Sequence, residues 1–144
     1  MQYKNILVPF DGSEHAVNAV KAAKDLAGDA ADVTIHVLNV VDPGETEMGV
    51  GEYEEYKRML DTKKAEGQKT LASQVEDAVG TTEGFVIKAV TTNSPVTGIT
   101  RYVEENGIDL IIMGRRGLGA LRGMLGSVSY AVLHAVDVPV MTVK

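Results

Sequence analysis

Two short stretches concentrate the residue types that could do chemistry: Pro9-Phe10-Asp11-Gly12-Ser13, and Met113-Gly114-Arg115-Arg116-Gly117 running on to Gly126-Ser127-Val128-Ser129. In the second, Gly114, Gly117, Gly119, Gly123 and Gly126 let a backbone approach phosphate oxygens closely and adopt conformations closed to other residues. Gly126-Ser127 opens an expected helix, whose unbonded N–H groups and dipole favour an anion, and Ser127 and Ser129 add hydroxyl donors. From Leu110 to Val136 the chain carries Arg115, Arg116 and Arg122 and no acid. This is the composition of an anion cradle. The same glycines also serve as turn formers, Ser127 as a plain cap and the arginines as surface charges, and the residues alone leave both readings open. Asp11, at the tip of an apolar run, can accept hydrogen bonds from ribose hydroxyls or cap the helix that follows, and the two roles are compatible.

Better-known sites are excluded by spacing. A Walker loop needs Lys directly before its Ser or Thr, and Gly126 stands there before Ser127. A dinucleotide fingerprint needs a third glycine where Arg122 closes Gly117-Leu-Gly119-Ala-Leu-Arg122. His15, His36 and His134 fall on separate elements with no metal-site spacing, and His36 reads as a strand residue rather than a catalyst. Asp11, Ser13 and His15 lie too close along one strand-to-helix turn to form a catalytic triad. With no cysteine there is neither a disulfide framework nor a thiolate site.

The elements that would position these residues alternate. Apolar, β-branched runs at 5–10, 33–41, 85–90, 108–113 and 139–143 read as strands. Helical periodicity fills the gaps: Ala16, Val17, Val20, Ala23 and Ala27 form one stripe, Tyr53 to Val79 a long helix, Pro95 to Asn106 a short one and Ser127 to Val136 the last. Gly67 predicts a bend or break in the long helix, and Tyr53, Tyr56, Met48 and Met59 are expected to pack it or the preceding loop at 43–52, read as mobile. Strand–helix alternation with continuous apolar strands implies a single α/β domain over residues 1–144, a doubly wound five-stranded parallel sheet with helices on both faces. With strand order 3-2-1-4-5, the order reverses between the first strand and the fourth, and ligands of such sheets bind beyond the carboxyl ends at that point. The two specialised stretches end those two strands.

A chain of 144 residues with 44% hydrophobic and 24% charged residues buries an ordinary core. Its formal net charge of −6 argues against nucleic acid and anionic membranes as partners. No apolar run reaches membrane-spanning length, and the cytoplasm is the expected setting.

At these residues the sequence resembles the universal stress protein family. The likeness runs from the Ile-Leu-Val-Pro-Phe-Asp-Gly-Ser opening at Ile6–Ser13, through His36-Val37 and Met113-Gly114, to Gly126-Ser127-Val128-Ser129 and the final Val138-Pro-Val140. The family's nucleotide signature is G-x-x-G, nine residues, then G-[S/T]; here eight residues separate Gly117 from Gly126. The resemblance implies a stress-response regulator binding ATP, or else ADP or AMP, with Mg²⁺ where phosphates require it. It implies Pro9, Phe10 and Asp11 on the adenosine side, with Asp11 on the ribose, and Val37 offering backbone groups to adenine. Met113 and Gly114 would flank the ribose, Gly117, Gly126, Ser127, Val128 and Ser129 would hold phosphates, and Arg116 would join that grip. It also implies a homodimer through the strand Val138–Val143, read by a regulatory protein partner. Two rivals stand beside this reading: a slow Mg²⁺-dependent ATPase using Arg115 and Arg116, and an interaction module whose short spacer closes the pocket.

Overall fold

Strands that are apolar along their whole length need cover on both faces, and the chain supplies it in the order expected. The computed structural model describes residues 2–42, 52–116 and 125–144. Its elements are β1 (Asn5–Pro9), α1 (Glu14–Ala27), β2 (Thr34–Val41), α2 (Tyr53–Val79), β3 (Phe85–Thr91), α3 (Pro95–Glu105), β4 (Leu110–Gly114), α4 (Ser127–Ala135) and β5 (Val140–Val143). The five strands pair in parallel in the order β3-β2-β1-β4-β5. One core holds Ile6, Val8, Val37 and Ile112 beneath α1 and α2, and the other holds Leu7, Leu38, Ile111 and Met113 beneath α3 and α4. Alternate residues of each strand thus feed opposite faces.

The helices start where their capping residues sit. Ser13 Oγ accepts from the Ala16 N–H at 3.2 Å, and Ser94 Oγ accepts from the Thr97 N–H at 3.3 Å, just before Pro95. Each such cap contributes about 1 kcal/mol. In α1 the buried stripe is Ala16, Ala19, Val20, Ala23 and Ala27, with Val17 half-buried.

The long helix departs from its sequence reading. It runs unbroken through Gly67, where an added Cβ would stand 3.3 Å from Val41 Cγ2 and 3.7 Å from Ala89 Cβ. The glycine lets α2 lie close on β2 and β3, and that packing offsets the roughly 1 kcal/mol that glycine costs a helix. Tyr53 and Met59 are 63% and 37% exposed and Tyr56 is half-buried, while Leu71 and Val75 carry the buried face of α2. Met48 and residues 43–51 lie outside the described residues.

One polar network is buried in the second face. His36 Nδ1 lies 2.8 Å from Tyr102 Oη, and Nε2 lies 3.3 Å from Asn5 Oδ1. The amide oxygen can only accept, so Nε2 carries the hydrogen and Nδ1 accepts from the tyrosine. The ring joins β1, β2 and α3, and burial disfavours its charged form, holding its pKa below the ordinary value. As pH falls below about 6.5, the unfolded chain takes up a proton that the folded chain refuses, so stability drops by at most about 1.4 kcal/mol per pH unit until the folded pKa is passed. Urea unfolding of wild type and His36→Gln between pH 8 and pH 5 checks this. The variant is expected to lose less stability across that window, and parallel curves would refute the assignment.

Candidate functional site

The reversal point opens because β1 pairs unequally with its neighbours. It is in register with β2 over Asn5–Pro9 but with β4 only at Ile6 and Leu7. At the other end the same two strands are clamped, because the Asp109 carboxylate accepts from the Lys4 N–H at 2.9 Å and the Asn5 N–H at 3.1 Å. Backbone groups alternate sides along a strand. The Asn5 carbonyl accepts from the Asp109 N–H, so Asn5, Leu7 and Pro9 face β4. Proline has no N–H, so Pro9 leaves that ladder without a donor where the strands part.

The same alternation identifies the lips of the crevice. The last bond from β1 to β2 is Phe10 N–H to the Leu38 carbonyl at 2.8 Å. The next residue of β2 whose N–H and C=O face β1 is Val40, beyond the end of that strand. On β4, the Ile111 and Arg115 N–H groups donate to Pro139 and Val143 of the β5 side, so Gly114 faces the β1 side. Backbone polar groups of Val40 and Gly114 thus flank the tip of β1.

Beneath this tip the chain turns into α1. Gly12 has φ +84°, a left-handed conformation that side chains resist, and Asp11 Oδ1 accepts from the Ser13 N–H at 2.9 Å. The sequence left Asp11 a ribose ligand or a cap. The structure gives the cap to Ser13, while the exposed Asp11 carboxylate turns back onto the N–H of that capping residue. Gly114 packs directly against the main chain of α1. A Cβ there would lie 2.9 Å from both the His15 carbonyl carbon and Cβ, and 3.0 Å from the Ala16 nitrogen.

On the opposite lip the Gly126 N–H donates to the Arg115 carbonyl at 2.8 Å, which pins the two ends of the glycine-rich segment together. Ser129 Oγ donates to the Gly114 carbonyl at 2.8 Å, fastening α4 to β4. The first bond within α4 runs from the Tyr130 N–H to the Gly126 carbonyl. The Ser127, Val128 and Ser129 N–H groups precede it and have no acceptor inside the helix. Its N-cap residue, Gly126, has no side chain to cap that end. Those donors, aligned with the positive end of the helix dipole, can hold an anion.

Of the residues singled out from sequence, the fold brings Pro9, Phe10, Asp11, Gly114, Arg116, Gly126, Ser127, Val128 and Ser129 to this end of the sheet. Gly117 lies outside the described residues, as do Gly119, Arg122 and Gly123. Phe10 and Met113 are buried, at 4% and 3% exposure, with side chains in the first and second core respectively, so their main chains alone reach the rim. Ser129 spends its hydroxyl hydrogen on Gly114, which leaves its N–H for a ligand. Val37 is misplaced by the sequence reading. It is fully buried in mid-strand, and its backbone lies in the ladder to Ile87 of β3. The β2 backbone that faces the tip of β1 belongs to Val40, and counting back from the Asp42-Pro43-Gly44 turn rather than anchoring on His36 points to it. Asp11, Ser13 and His15 bond to separate partners, as their spacing predicts: Asp11 to the Ser13 N–H, Ser13 to the Ala16 N–H, and His15 to Arg116.

Comparison with known proteins comes to the same architecture. A family profile described as the universal stress protein family matches residues 2–144. Universal stress protein MJ0577 of Methanocaldococcus jannaschii is 32% identical over 162 residues, covering 100% of this chain and 96% of the relative. Its solved structure superposes with a TM-score of 0.74 at 30% identity, covering 100% and 97% of the two chains. Universal stress protein UspA from Lactobacillus plantarum shares the fold at a TM-score of 0.77 and 23% identity, covering 100% and 99%. A family protein from Arabidopsis thaliana solved with AMP bound shares it at 0.62 and 18% identity, covering 98% and 91%.

The closeness of Gly114 to α1 makes a sharp prediction. Gly114→Ala is expected to lose about 1–3 kcal/mol of stability, because the new methyl meets backbone rather than a movable side chain. A urea midpoint shift at unchanged slope measures it, and an unshifted midpoint would mean that α1 yields freely.

Proposed function

The chain belongs to the universal stress protein family, and from that premise we propose that it binds an adenine nucleotide, ATP ahead of ADP or AMP, as a dimeric cytoplasmic stress-response regulator whose ligand state a partner protein reads. The observation that carries this is the crevice itself: backbone groups of Val40 and Gly114 face one another across the tip of β1, and α4 amides without an acceptor inside their helix stand beside them. Adenine offers a donor and an acceptor along one edge, which matches the N–H and C=O of Val40. Asp11 is exposed at the rim, in reach of ribose hydroxyls. The phosphates would then run toward Ser127, Val128 and Ser129, with Gly117 and Arg116 completing the grip. Among the described residues no group of three or more His, Asp or Glu side chains could hold a metal, so Mg²⁺ would be carried chiefly on phosphate oxygens.

The dimer part of the proposal rests on β5. Alternation along it turns the N–H and C=O of Val140 and Thr142 away from β4, toward an open edge. Tyr130, Leu133 and Met141 are 58%, 44% and 41% exposed on α4 and β5. An unpaired edge beside apolar surface favours pairing with a second copy. Among the described residues no helix is long and apolar enough to cross a membrane.

Equilibrium titration with labelled ATP in the presence of Mg²⁺ tests the binding step. Saturable binding is expected, weakened about tenfold or more in Asp11→Ala by loss of charge-assisted bonds to the ribose. Absence of saturation in the wild type would remove the nucleotide reading. For the dimer, Thr142→Pro deletes an outward N–H and leaves the ladder to β4 intact. Sedimentation should find a folded monomer where the wild type is a dimer; a variant that stays dimeric at micromolar concentration would rule out pairing through β5.

A further inference from the structure

His15 stands in α1, half-buried, with its main chain against Gly114. Its ring reaches across to the chain leaving β4 and meets the same residue twice. The Arg116 main-chain N–H donates to Nδ1 at 3.2 Å, and Arg116 Nη2 lies 3.1 Å from Nε2. A neutral imidazole offers one acceptor nitrogen and an imidazolium none. With Nδ1 engaged as the acceptor, Nε2 carries a hydrogen. A guanidinium has only donors. Two N–H donors therefore confront each other across 3.1 Å, and among the described residues no other hydrogen-bond or ion-pair partner meets the Arg116 guanidinium. An anionic oxygen bridging them converts this mismatch into two hydrogen bonds, at least one of them charge-assisted.

The surroundings favour such an oxygen. The stretch from Leu110 to Val136 carries no acid, and the bond from Gly126 to the Arg115 carbonyl brings the open amides of α4 next to the residue preceding Arg116. We propose that His15 and Arg116 form an oxyanion clamp that reads the phosphate groups of a nucleotide beyond the one nearest the ribose. The clamp makes the site prefer tri- and diphosphates to a monophosphate. It rests on the nucleotide reading above and deepens it, adding His15, which the sequence analysis did not place in the site.

Two measurements at constant ionic strength test it. In the first, ATP and AMP affinities are compared by calorimetry in the wild type, His15→Phe and Arg116→Gln. Each variant is expected to lose about tenfold in ATP affinity while AMP affinity stays within about twofold. Equal losses for both nucleotides, or no loss for either, would overturn the clamp and leave His15 a structural tether. In the second, inorganic pyrophosphate is titrated into wild-type protein while the His15 ring nitrogens are followed by long-range ¹⁵N–¹H NMR, with His15→Phe fixing the assignment. A saturable shift of Nε2 is expected. No shift at tens of millimolar pyrophosphate would overturn the proposal. This second measurement needs no adenine pocket, so a protein that binds no nucleotide yet moves its His15 signal with pyrophosphate would sink the broader function and keep the clamp.

Discussion

The site depends on one steric fact: the backbone of β4 at Gly114 touches the backbone of α1 at His15 and Ala16 with no room for a side chain between them. A strand and a helix normally meet through side chains, which leave adjustable gaps. Here the two main chains are in direct contact, so the end of β4 and the first turn of α1 move as one body. Ser129 adds α4 to the same body through its bond to the Gly114 carbonyl. The tip of β1, the start of α1, the end of β4 and the start of α4 are thus fixed relative to one another, a geometry that would spare a ligand a large ordering cost.

A crevice in a parallel sheet also needs backbone groups left over, and the chain produces them by simple parity. β1 stops while β2 continues to Val41, and each extra residue of β2 that faces β1 has lost its partner. Pro9 ends the other ladder because its nitrogen carries no hydrogen to donate. Buried main-chain groups without partners are costly, so strands that end out of step demand either water or a ligand with matching donors and acceptors. The buried side chains of Phe10 and Met113 complete the arrangement by anchoring the rim to both cores.

Much of this was legible in the residues, because alternation of apolar runs with helical stripes determines the sheet, and the sheet determines where its order reverses. What misled was local. Gly67 reads as a breaker on propensity alone, but its value lies in what it touches, Val41 and Ala89, which no window of sequence reveals. Tyr53 is apolar in body and opens the long helix yet stays exposed, since an apolar residue in a helix does not reveal whether anything covers it. The motif at His36 points to Val37, although only the point where β1 ends leaves Val40, among the described residues, facing no strand partner on that side. The His15–Arg116 contact joins residues a hundred positions apart and had no signature in either neighbourhood.

The glycine spacer shows why the ends of a segment matter more than its length. Eight residues separate Gly117 from Gly126 where the family signature has nine. If the segment alone positioned α4, a deletion would drag the helix out of place. Instead the Arg115 carbonyl holds the Gly126 N–H, and the Ser129 hydroxyl holds Gly114, so α4 is located by bonds on its own first turn. The closure entropy of a chain of this length changes little with one residue. An acidic protein can still present such a site, because screening confines the net charge of −6 to short range while three aligned N–H groups and an acid-free, arginine-bearing segment set the local field. At such a site an anion would be selected by donors within a few ångströms, and the overall charge would govern only which large polyanions stay away.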